Sequence, residues 1–479
     1  MEGGRVKIYI LASDSSTIYY IQEPNLTNDE RSFLCSIRAA VPAILMGDRK
    51  RNAKHENYVD SLLSSFRSPL RKEEGFPNKL DAIKYYLERD LVGYGIIDPM
   101  IRDTKLEDIS CTGPGVPIYV YHRSYGNLRS NRMFEERGAL DSFVISLAQK
   151  GGKIVSVSDP ILDSATPEGH RVSAMLGREV TSKGSTFSIR LFRKSPFSPL
   201  DLVRFRTASS ELLAFMWVMA EWRRNVMVIG ESGAGKTSTL NALSFFIPPW
   251  AKVVSIEDTR EINIPHENWI PAVTRGVRAG GVTASQEGAD VVDMFDLVRM
   301  ALRQRPEYLI VGEIRGREAY SLFQAMSAGQ TTLATMHAGS IASMFDRLEN
   351  PPLDVPAVML SSIDLVVKIS LIKGEGRIER KISTVTGIQG IDPGSGEIST
   401  QNIFEWNRES DRFDFLYPEP YLRTIARSRS IEEEQFLDEV KRRAKLIDDL
   451  AAKGKDEAPL AYELDLYHRF VDVKHGEGA

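Results

Sequence analysis

A run of glycines that ends in a lysine and a threonine is the clearest chemical signal in this sequence. Residues 230–237 read Gly-Glu-Ser-Gly-Ala-Gly-Lys-Thr and match the pattern GxxxxGK[ST]. Glycines let the backbone turn successive N–H groups towards a phosphate, and the N-terminus of a following helix adds partial positive charge. Lys236 is expected to reach the β- and γ-phosphates, and the Thr237 hydroxyl to bind Mg²⁺. The predicted nucleotide-binding residues are Gly230, Glu231, Ser232, Gly233, Ala234, Gly235, Lys236, Thr237 and Ser238.

The first of two acidic segments reads Ile-Glu-Asp-Thr-Arg-Glu at residues 256–261, directly after an apolar run. Acids that follow a parallel strand lie at the sheet edge where α/β proteins bind ligands. Glu257 or Glu261 is a candidate to position the attacking water, and Asp258 to hold a water bound to Mg²⁺. The competing interpretation is a group of acids that caps a helix or faces solvent.

The second acidic segment, residues 308–315, has the outline of a Walker B strand with Gly312 in place of its usual first acid. Glu313 is therefore the candidate catalytic carboxylate and, with Thr237, a candidate metal ligand. A strand-like run at 331–335 leads to His337, for which we predict contact with the γ-phosphate. A structural, hydrogen-bonded histidine is the alternative there.

These residues need a sheet to position them, and the pattern of the chain predicts one. An apolar strand at 225–229 precedes the glycine loop, and strands then alternate with helical segments to about residue 370, as in a parallel sheet covered by helices. Strands are also expected at 153–157 and 186–192, and short strands over 366–416. The predicted class is α/β. The predicted domains are an N-terminal α/β domain at 1–194 with room for a helical lead-in at 30–75, a linker at 195–208 with a proline-rich hinge at 195–199, an ATPase domain at 209–427, and a helical tail at 428–479.

Composition narrows the function classes. The chain has 479 residues with 61 Lys and Arg against 65 Asp and Glu, a net charge of −4. That balance argues against a protein held on nucleic acid by bulk charge. With two cysteines and no CxxC pair, a disulfide framework and a cysteine zinc site are both excluded. No apolar run approaches the roughly 18–20 residues that span a bilayer, so we expect a cytoplasmic protein.

The four segments in this order resemble the secretion ATPase superfamily, which includes the motors of type II and type IV secretion, type IV pili and the archaeal archaellum. Its marks are a Walker A loop, an acidic box (256–262), a Walker B strand with glycine for its first acid, and a histidine box (329–338). Segments 106–110, 167–173 and 185–190 agree as well, so the match runs from roughly residue 80 to 415. The acidic box and the residues after it look most like the archaeal branch.

The resemblance implies a RecA-like ATPase domain, ATP and Mg²⁺ as ligands, and a homohexameric ring. It also implies a polytopic inner-membrane platform protein and accessory motor proteins as partners. Arginines of the N-terminal domain reach the nucleotide in relatives, so Arg171, Arg190 or Arg193 is expected to neutralise transition-state charge. Arg260 and Arg315 are rival candidates. The histidine box usually opens Gly-His, whereas this chain has Gln330.

The expected function is Mg²⁺-dependent ATP hydrolysis that powers a pilus-like filament, an archaellum or protein secretion, at the cytoplasmic membrane through partners. Two other classes stay open: a scaffold whose assembly state is fixed by nucleotide, and a ring ATPase that translocates nucleic acid. Stable nucleic-acid binding is not expected, because no basic stripe interleaved with aromatic residues is present.

Overall fold

The computed structural model describes residues 6–13, 16–47, 80–192, 196–274, 292–373, 378–391 and 398–453, together with positions 463, 464 and 467. The chain divides into two compact units, residues 1–192 and residues 193–479. Each unit has its own sheet and its own apolar core. Part of the predicted lead-in (48–75), part of the predicted hinge (Ser195) and much of the predicted tail lie outside the described residues.

The first unit is built on an eight-stranded sheet with the order β1-β2-β5-β4-β3-β8-β7-β6. Neighbouring strands run antiparallel except for β2 and β5, which are parallel. The strands are β1 Lys7–Ser13, β2 Ser16–Gln22, β3 Leu106–Cys111, β4 Pro117–His122, β5 Gly126–Met133, β6 Ile161–Ala165, β7 Arg171–Met175 and β8 Thr186–Arg190.

Helices cover this sheet or pair with one another. Helix α4 buries Leu140, Val144 and Leu147 in the sheet's core, at the spacing expected of one helix face. The helices of this unit are α1 Asn28–Gly47, α2 Leu80–Leu87, which continues as one π-helical turn over Glu88–Val92, α3 Asp98–Ile101 and α4 Arg137–Lys150.

The prediction of a strand at 153–157 is wrong, and strands β6 and β7 were not predicted. Residues 153–157 are rich in β-branched side chains but pair with no described strand, and Ile154 is 88% exposed. Such residues form a strand only where a partner strand offers hydrogen bonds. The paired strands are short, five residues each, and carry several polar side chains, which weakens their signal in the sequence.

The second unit has a nine-stranded sheet with the order β11-β10-β12-β13-β9-β14-β15-β16-β17. The six strands from β11 to β14 in that order are parallel, and the remaining pairs are antiparallel. This confirms the α/β class and the RecA-like arrangement. The strands are β9 Val226–Gly230, β10 Val253–Glu257, β11 Trp269–Val273, β12 Tyr308–Val311, β13 Thr331–His337, β14 Leu365–Lys373, β15 Ile378–Ile391, β16 Ile398–Asn407 and β17 Arg412–Phe415.

Helices lie on both faces of this sheet, so its central strands are buried on both faces. In β9, Val226 and Val228 belong to one core, while Met227 and Ile229 belong to the other. The helices are α5 Pro199–Arg204, α6 Ser210–Glu221, α7 Lys236–Ser244, α8 Met294–Arg303, α9 Glu318–Ser327, α10 Ile341–Glu349, α11 Ala357–Leu360, α12 Glu419–Arg427 and α13 Glu433–Ala452. Within the described ranges, no helix combines the length and the apolar character needed to cross a bilayer.

Two stretches differ from the predicted elements. Residues 199–204, expected within a linker, form α5, because proline is well suited to the first helical position and Ser198 caps the helix. Strands β14, β15 and β16 are 9, 14 and 10 residues long rather than short, and they extend the sheet of the second unit.

The C-terminal helix α13 packs on α6, the helix that precedes β9. Arg443 of α13 is 2% exposed and forms ion pairs of 2.7 Å with Glu221 and with Glu439. Its guanidinium lies 4.7 Å from the ring centroid of Trp217. A buried charge with two carboxylate partners fixes one packing arrangement, because any other would leave it unpaired.

Candidate functional site

The glycine loop at 230–235 joins β9 to α7 and depends on backbone shapes that other residues adopt poorly. Gly233 and Gly235 have φ values of +73° and +100°. At Gly230 the constraint is space, because an added Cβ would lie 2.5 Å from the carbonyl oxygen of Ile369. Helix α7 begins at Lys236, immediately after the loop. The strand, loop and helix therefore follow one another as a phosphate-binding loop requires.

The loop leaves backbone donors available. In the part of the chain that the structure describes, no carbonyl accepts a hydrogen bond from the N–H groups of Ser232, Gly233 or Gly235. The first N–H groups of α7, including that of Thr237, have no acceptor within the helix either. A concave set of such donors at a helix N-terminus is an anion site.

Lys236, the first residue of α7, extends its side chain back to this loop, and the residue is only 8% exposed. Its Nζ donates to the carbonyl of Glu231 at 3.1 Å and lies 3.3 Å from His337 Nε2. Burial lowers the pKa of Lys236, while the nearby Glu313 carboxylate opposes that change. No carboxylate is bonded directly to the ammonium group among the described residues, so an anionic ligand would complete its coordination.

Parallel strands bring the four predicted segments to one edge of the sheet. In the register, His337 at the end of β13 is opposite Gly230 at the end of β9. Strand β12, which ends just before Glu313, pairs with both β13 and β10, and Glu257 ends β10. The carboxyl edge of a parallel sheet is where α/β proteins bind ligands. Segments far apart in sequence are thus placed around Lys236.

Glu313 is half-buried and held in place by Arg315, whose Nη2 donates to Glu313 Oε2 at 2.5 Å. Its other oxygen lies 3.7 Å from His337 Nε2. Burial favours the neutral acid, but the hydrogen bond and charge of Arg315 together outweigh it, so the pKa of Glu313 lies below its usual range. Asp258 also pairs with Arg315, at 3.3 Å. Glu313 is therefore a charged group beside the ammonium of Lys236.

Glu257 differs from Glu313 in both burial and protonation. It is 3% exposed, and its Oε1 accepts the N–H groups of Glu261 and Ile262 at 2.9 Å each. Its Oε2 is buried and has no hydrogen-bond partner among the described residues. Burial raises the pKa of Glu257 to about 7. Of the two acids proposed to position water, Glu257 is buried at the strand end, whereas the side chain of Glu261 is exposed.

The glycine that replaces the first Walker B acid has a steric reason in the structure. A Cβ at Gly312 would lie 3.0 Å from Cγ of Glu257 on the neighbouring strand. The Gly312 backbone is also fixed, since its N–H donates to the Ile256 carbonyl and its carbonyl accepts from Thr335. The space beside position 312 is thus occupied by the carboxylate-bearing side chain of the adjacent strand.

His337 faces an open pocket of about 350 Å³ beside the loop. Burial, and then the charge of Lys236, lowers the pKa of His337, so the ring is neutral near pH 7. Arg347 of α10 donates to the carbonyl of His337 and lines the same pocket. The ring can therefore exchange a hydrogen bond with a ligand without adding a charge. The pocket is lined by Gly230, Glu231, Ser232, His337, Ala338, Gly339, Ser343 and Arg347.

The candidate arginines occupy varied surroundings. In the first unit, Arg171 on β7 and Arg190 on β8 are opposite each other. Arg171 forms an ion pair with Asp163 at 3.3 Å, and Arg190 forms one with Asp108 at 3.5 Å. Arg193 lies outside the described residues. In the second unit, Arg315 belongs to the Glu313 cluster. Arg260 lies 5.3 Å from the ring centroid of Trp269.

The departure in the histidine box lies away from the loop. Gln330 immediately precedes β13, at the opposite end from His337, and its amide donates to the carbonyls of Glu307 and Thr331. It therefore contributes to the other edge of the sheet. Sequence reasoning also missed Arg380, whose Nε donates to the carbonyl of Gly233 at 3.2 Å. No motif surrounds Arg380, so the sequence carried no signal for it.

A family model described as "Type II/IV secretion system protein" matches residues 133–383, slightly more than half of the chain. The chain belongs to this family. The assignment drawn from the four sequence motifs is thereby confirmed.

Two relatives extend the match. The uncharacterized protein MJ0900 of Methanocaldococcus jannaschii is 34% identical over 392 residues, which cover 81% of this chain and 70% of that protein. The type IV secretion system protein PtlH of Bordetella pertussis is 32% identical over 339 residues, covering 64% of this chain and 95% of that one. Among solved structures, the Legionella pneumophila ATPase DotB aligns with 14% identity over 76% of this chain and 92% of its own, with a TM-score of 0.42.

Proposed function

We propose that this member of the type II/IV secretion family hydrolyses ATP at the carboxyl edge of its second sheet. The observation that carries the proposal is the cluster around Lys236. A lysine inside a loop with open N–H donors lies beside a charged carboxylate, Glu313, and a neutral histidine, His337. A triphosphate meets each of these requirements, because its β- and γ-phosphates need a cradle and an ammonium group, and its hydrolysis needs an acid near the attacking water.

The residues also fit a magnesium ion held together with the nucleotide. In the described ranges, no three His, Cys, Asp or Glu side chains form a metal cluster. A Mg²⁺ site with few protein ligands that is completed by phosphates and water is the usual form in such proteins. The Thr237 hydroxyl and the Glu313 carboxylate are the proposed ligands. Bound Mg²⁺ would offset the charge of the phosphate oxygens.

The two carboxylates suit different tasks. A base must accept a proton at neutral pH, and Glu257, with a pKa of about 7 and an unpaired Oε2, is matched to that task. In the proposed reaction, water attacks the γ-phosphorus and gives a proton to Glu257 while the bond to the β–γ bridging oxygen breaks, leaving ADP and inorganic phosphate. Glu313 stays charged throughout and orients the water or the metal. His337 and Lys236 contact the γ-phosphate.

Family membership supports the further parts of the proposal. The work of hydrolysis is done on a secretion or filament system at the cytoplasmic membrane, by a homohexameric ring that acts on a polytopic platform protein. Arg171 or Arg190 supplies the positive charge that the transition state requires, and breaks its aspartate pair to do so. Each exposed pair contributes little to stability, so this exchange is inexpensive.

The decisive experiment measures nucleotide binding and turnover with purified protein. Calorimetry with Mg·ATP is expected to detect binding to the wild-type chain and none to Lys236→Ala, whose turnover should fall to background. Lys441→Ala is the matched control, because Lys441 is an exposed lysine on α13 of the same unit. Normal ATPase rates in Lys236→Ala would refute the site.

A second measurement separates a motor from a scaffold that merely binds nucleotide. Turnover is followed over protein concentrations that span ring assembly. A motor is expected to release phosphate steadily, with a specific rate that rises as rings form. Binding followed by one turnover or none at every concentration would favour the scaffold.

A further inference from the structure

The hairpin β14–β15 forms one wall of the phosphate loop, although neither strand belongs to a nucleotide motif. The carbonyl oxygen of Ile369 in β14 lies 2.5 Å from the position that a Cβ on Gly230 would take. Cδ1 of the same residue lies 3.5 Å from the position that a Cβ on Gly235 would take. The first distance leaves no room for a side chain at Gly230, and the second is an ordinary van der Waals contact. The loop is therefore packed against the hairpin at both of its ends.

Arg380 of β15 adds a polar contact to this wall. Its Nε donates to the carbonyl oxygen of Gly233 at 3.2 Å, and its Cδ lies 3.2 Å from the Cβ position of Gly235. The side chain thus runs along the two glycines with positive φ. The next residue, Lys381, is buried and bonds to Asp411 at 2.7 Å, as expected when neighbouring strand residues point to opposite faces.

Holding the Gly233 carbonyl also fixes an N–H group. A trans peptide is planar, so the N–H of Ala234 points in the opposite direction from the carbonyl of Gly233. That N–H makes a long hydrogen bond of 3.3 Å with the carbonyl of Glu231, on the inner side of the loop. A phosphate oxygen, being charged, is a stronger acceptor than this carbonyl and can replace it.

We propose that Arg380 is a positioning residue that holds the Gly233–Ala234 peptide with its N–H directed into the phosphate cradle. This inference rests on the proposed nucleotide function. The cradle serves the phosphates shared by nucleoside diphosphates and triphosphates, so Arg380 acts on the affinity for both ligands alike. Arg380 affects nucleotide binding and not transition-state stabilisation, because the peptide contacts the same phosphate oxygens in the bound ground state and in the transition state.

The test compares Arg380→Gln with Arg412→Gln, an exposed arginine on β17 of the same sheet. Arg380→Gln is expected to weaken the binding of both Mg·ATP and Mg·ADP by roughly fivefold to tenfold. We expect KM for ATP to rise by a similar factor, with kcat at saturation within about twofold of wild type. Arg380→Lys, which keeps a charged donor, should retain part of the affinity, and Arg412→Gln all of it.

The other outcomes are distinguishable. A large fall in kcat with unchanged affinity would make Arg380 a transition-state group, and a lower melting temperature with unchanged affinity would make it merely structural. Either result overturns the inference. Unchanged affinity in Arg380→Gln beside normal wild-type binding refutes Arg380 alone, whereas a wild-type chain that binds neither nucleotide refutes the proposed function, and the inference with it.

Discussion

The amino edge and the carboxyl edge of the parallel sheet in the second unit are built from the same strands. They differ in whether their polar groups have hydrogen-bond partners within the protein. At the amino edge, Asn225 precedes β9 and is 9% exposed. Its Oδ1 accepts from the Thr332 N–H at 2.8 Å, its Nδ2 donates to the Ser362 carbonyl at 2.8 Å, and its N–H donates to Asp364 at 2.7 Å. Every polar group of Asn225 has a protein partner.

The carboxyl edge is incomplete by comparison. Glu257 Oε2 is buried without a partner, and several loop N–H groups have no backbone acceptor within the described ranges. Burying an unpaired polar atom costs free energy, and a bound ligand is one way to complete such a group. The amino edge at Asn225 is thus the closed edge, which holds the strands together, and the carboxyl edge is the open edge, which is available for chemistry. Substitutions at the two edges should therefore fail in different ways.

Glu313→Gln should have the largest effect and act only on turnover. The amide keeps the shape of the side chain but removes the charge that orients water or metal. We expect kcat for ATP to fall by roughly 10²–10⁴-fold while Mg·ATP still binds. Steady-state kinetics and calorimetry on the same preparation measure both. Glu434→Gln, at an exposed position of α13, is the control. Loss of Mg·ATP binding in Glu313→Gln would instead show that this residue is needed for binding and does not act only on turnover.

Asn225→Ala should affect stability and leave chemistry intact. The substitution leaves the Thr332 N–H and the Ser362 carbonyl without their partner, and we expect a loss of about 2–3 kcal/mol in the free energy of unfolding. Thermal melting of the nucleotide-free protein measures it. At a temperature where the variant is folded, KM and kcat should match wild type. A melting temperature equal to wild type would show that the closed edge does not depend on this residue.

The protonation of Glu257 should set the pH dependence of the reaction. Its raised pKa, about 7, means that the carboxyl is neutral below that pH and charged above it. A general base acts when deprotonated, so kcat/KM should rise with pH to a plateau above about 7, since this ratio reports the free enzyme. Rates are measured with excess Mg²⁺ to keep the nucleotide in one form. A flat profile from pH 5.5 to 8.5 would exclude Glu257 as the base.

Gln330→His should have the smallest effect. Residue 330 lies at the closed edge and bonds to the carbonyls of Glu307 and Thr331, away from the phosphate loop. We expect kcat and KM to stay within about twofold of wild type, because residue 330 lies at the end of β13 opposite to His337. An increase of tenfold or more in kcat or in KM relative to the wild-type protein would contradict the inference that residue 330 acts separately from the phosphate loop.

Local chemistry made much of this protein predictable from sequence. The loop at 230–237 specifies its own shape, since glycines with positive φ and a helix start are properties of neighbouring residues. The strands before Glu257 and Glu313 were recognisable because buried parallel strands are largely continuous apolar runs. The α/β class and the family followed from these segments. The strand wrongly predicted at 153–157 failed because pairing depends on a distant partner.

The residues that could bind phosphate, and their order along the chain, are readable from the amino-acid sequence. Their neighbours in space are not, because these come from other strands. The packing of Glu257 against Gly312, the position of Gln330 at the other edge and the contact of Arg380 with the loop depend on the register between strands. Register is fixed by the burial of two whole sheet faces, a collective property that no short segment contains.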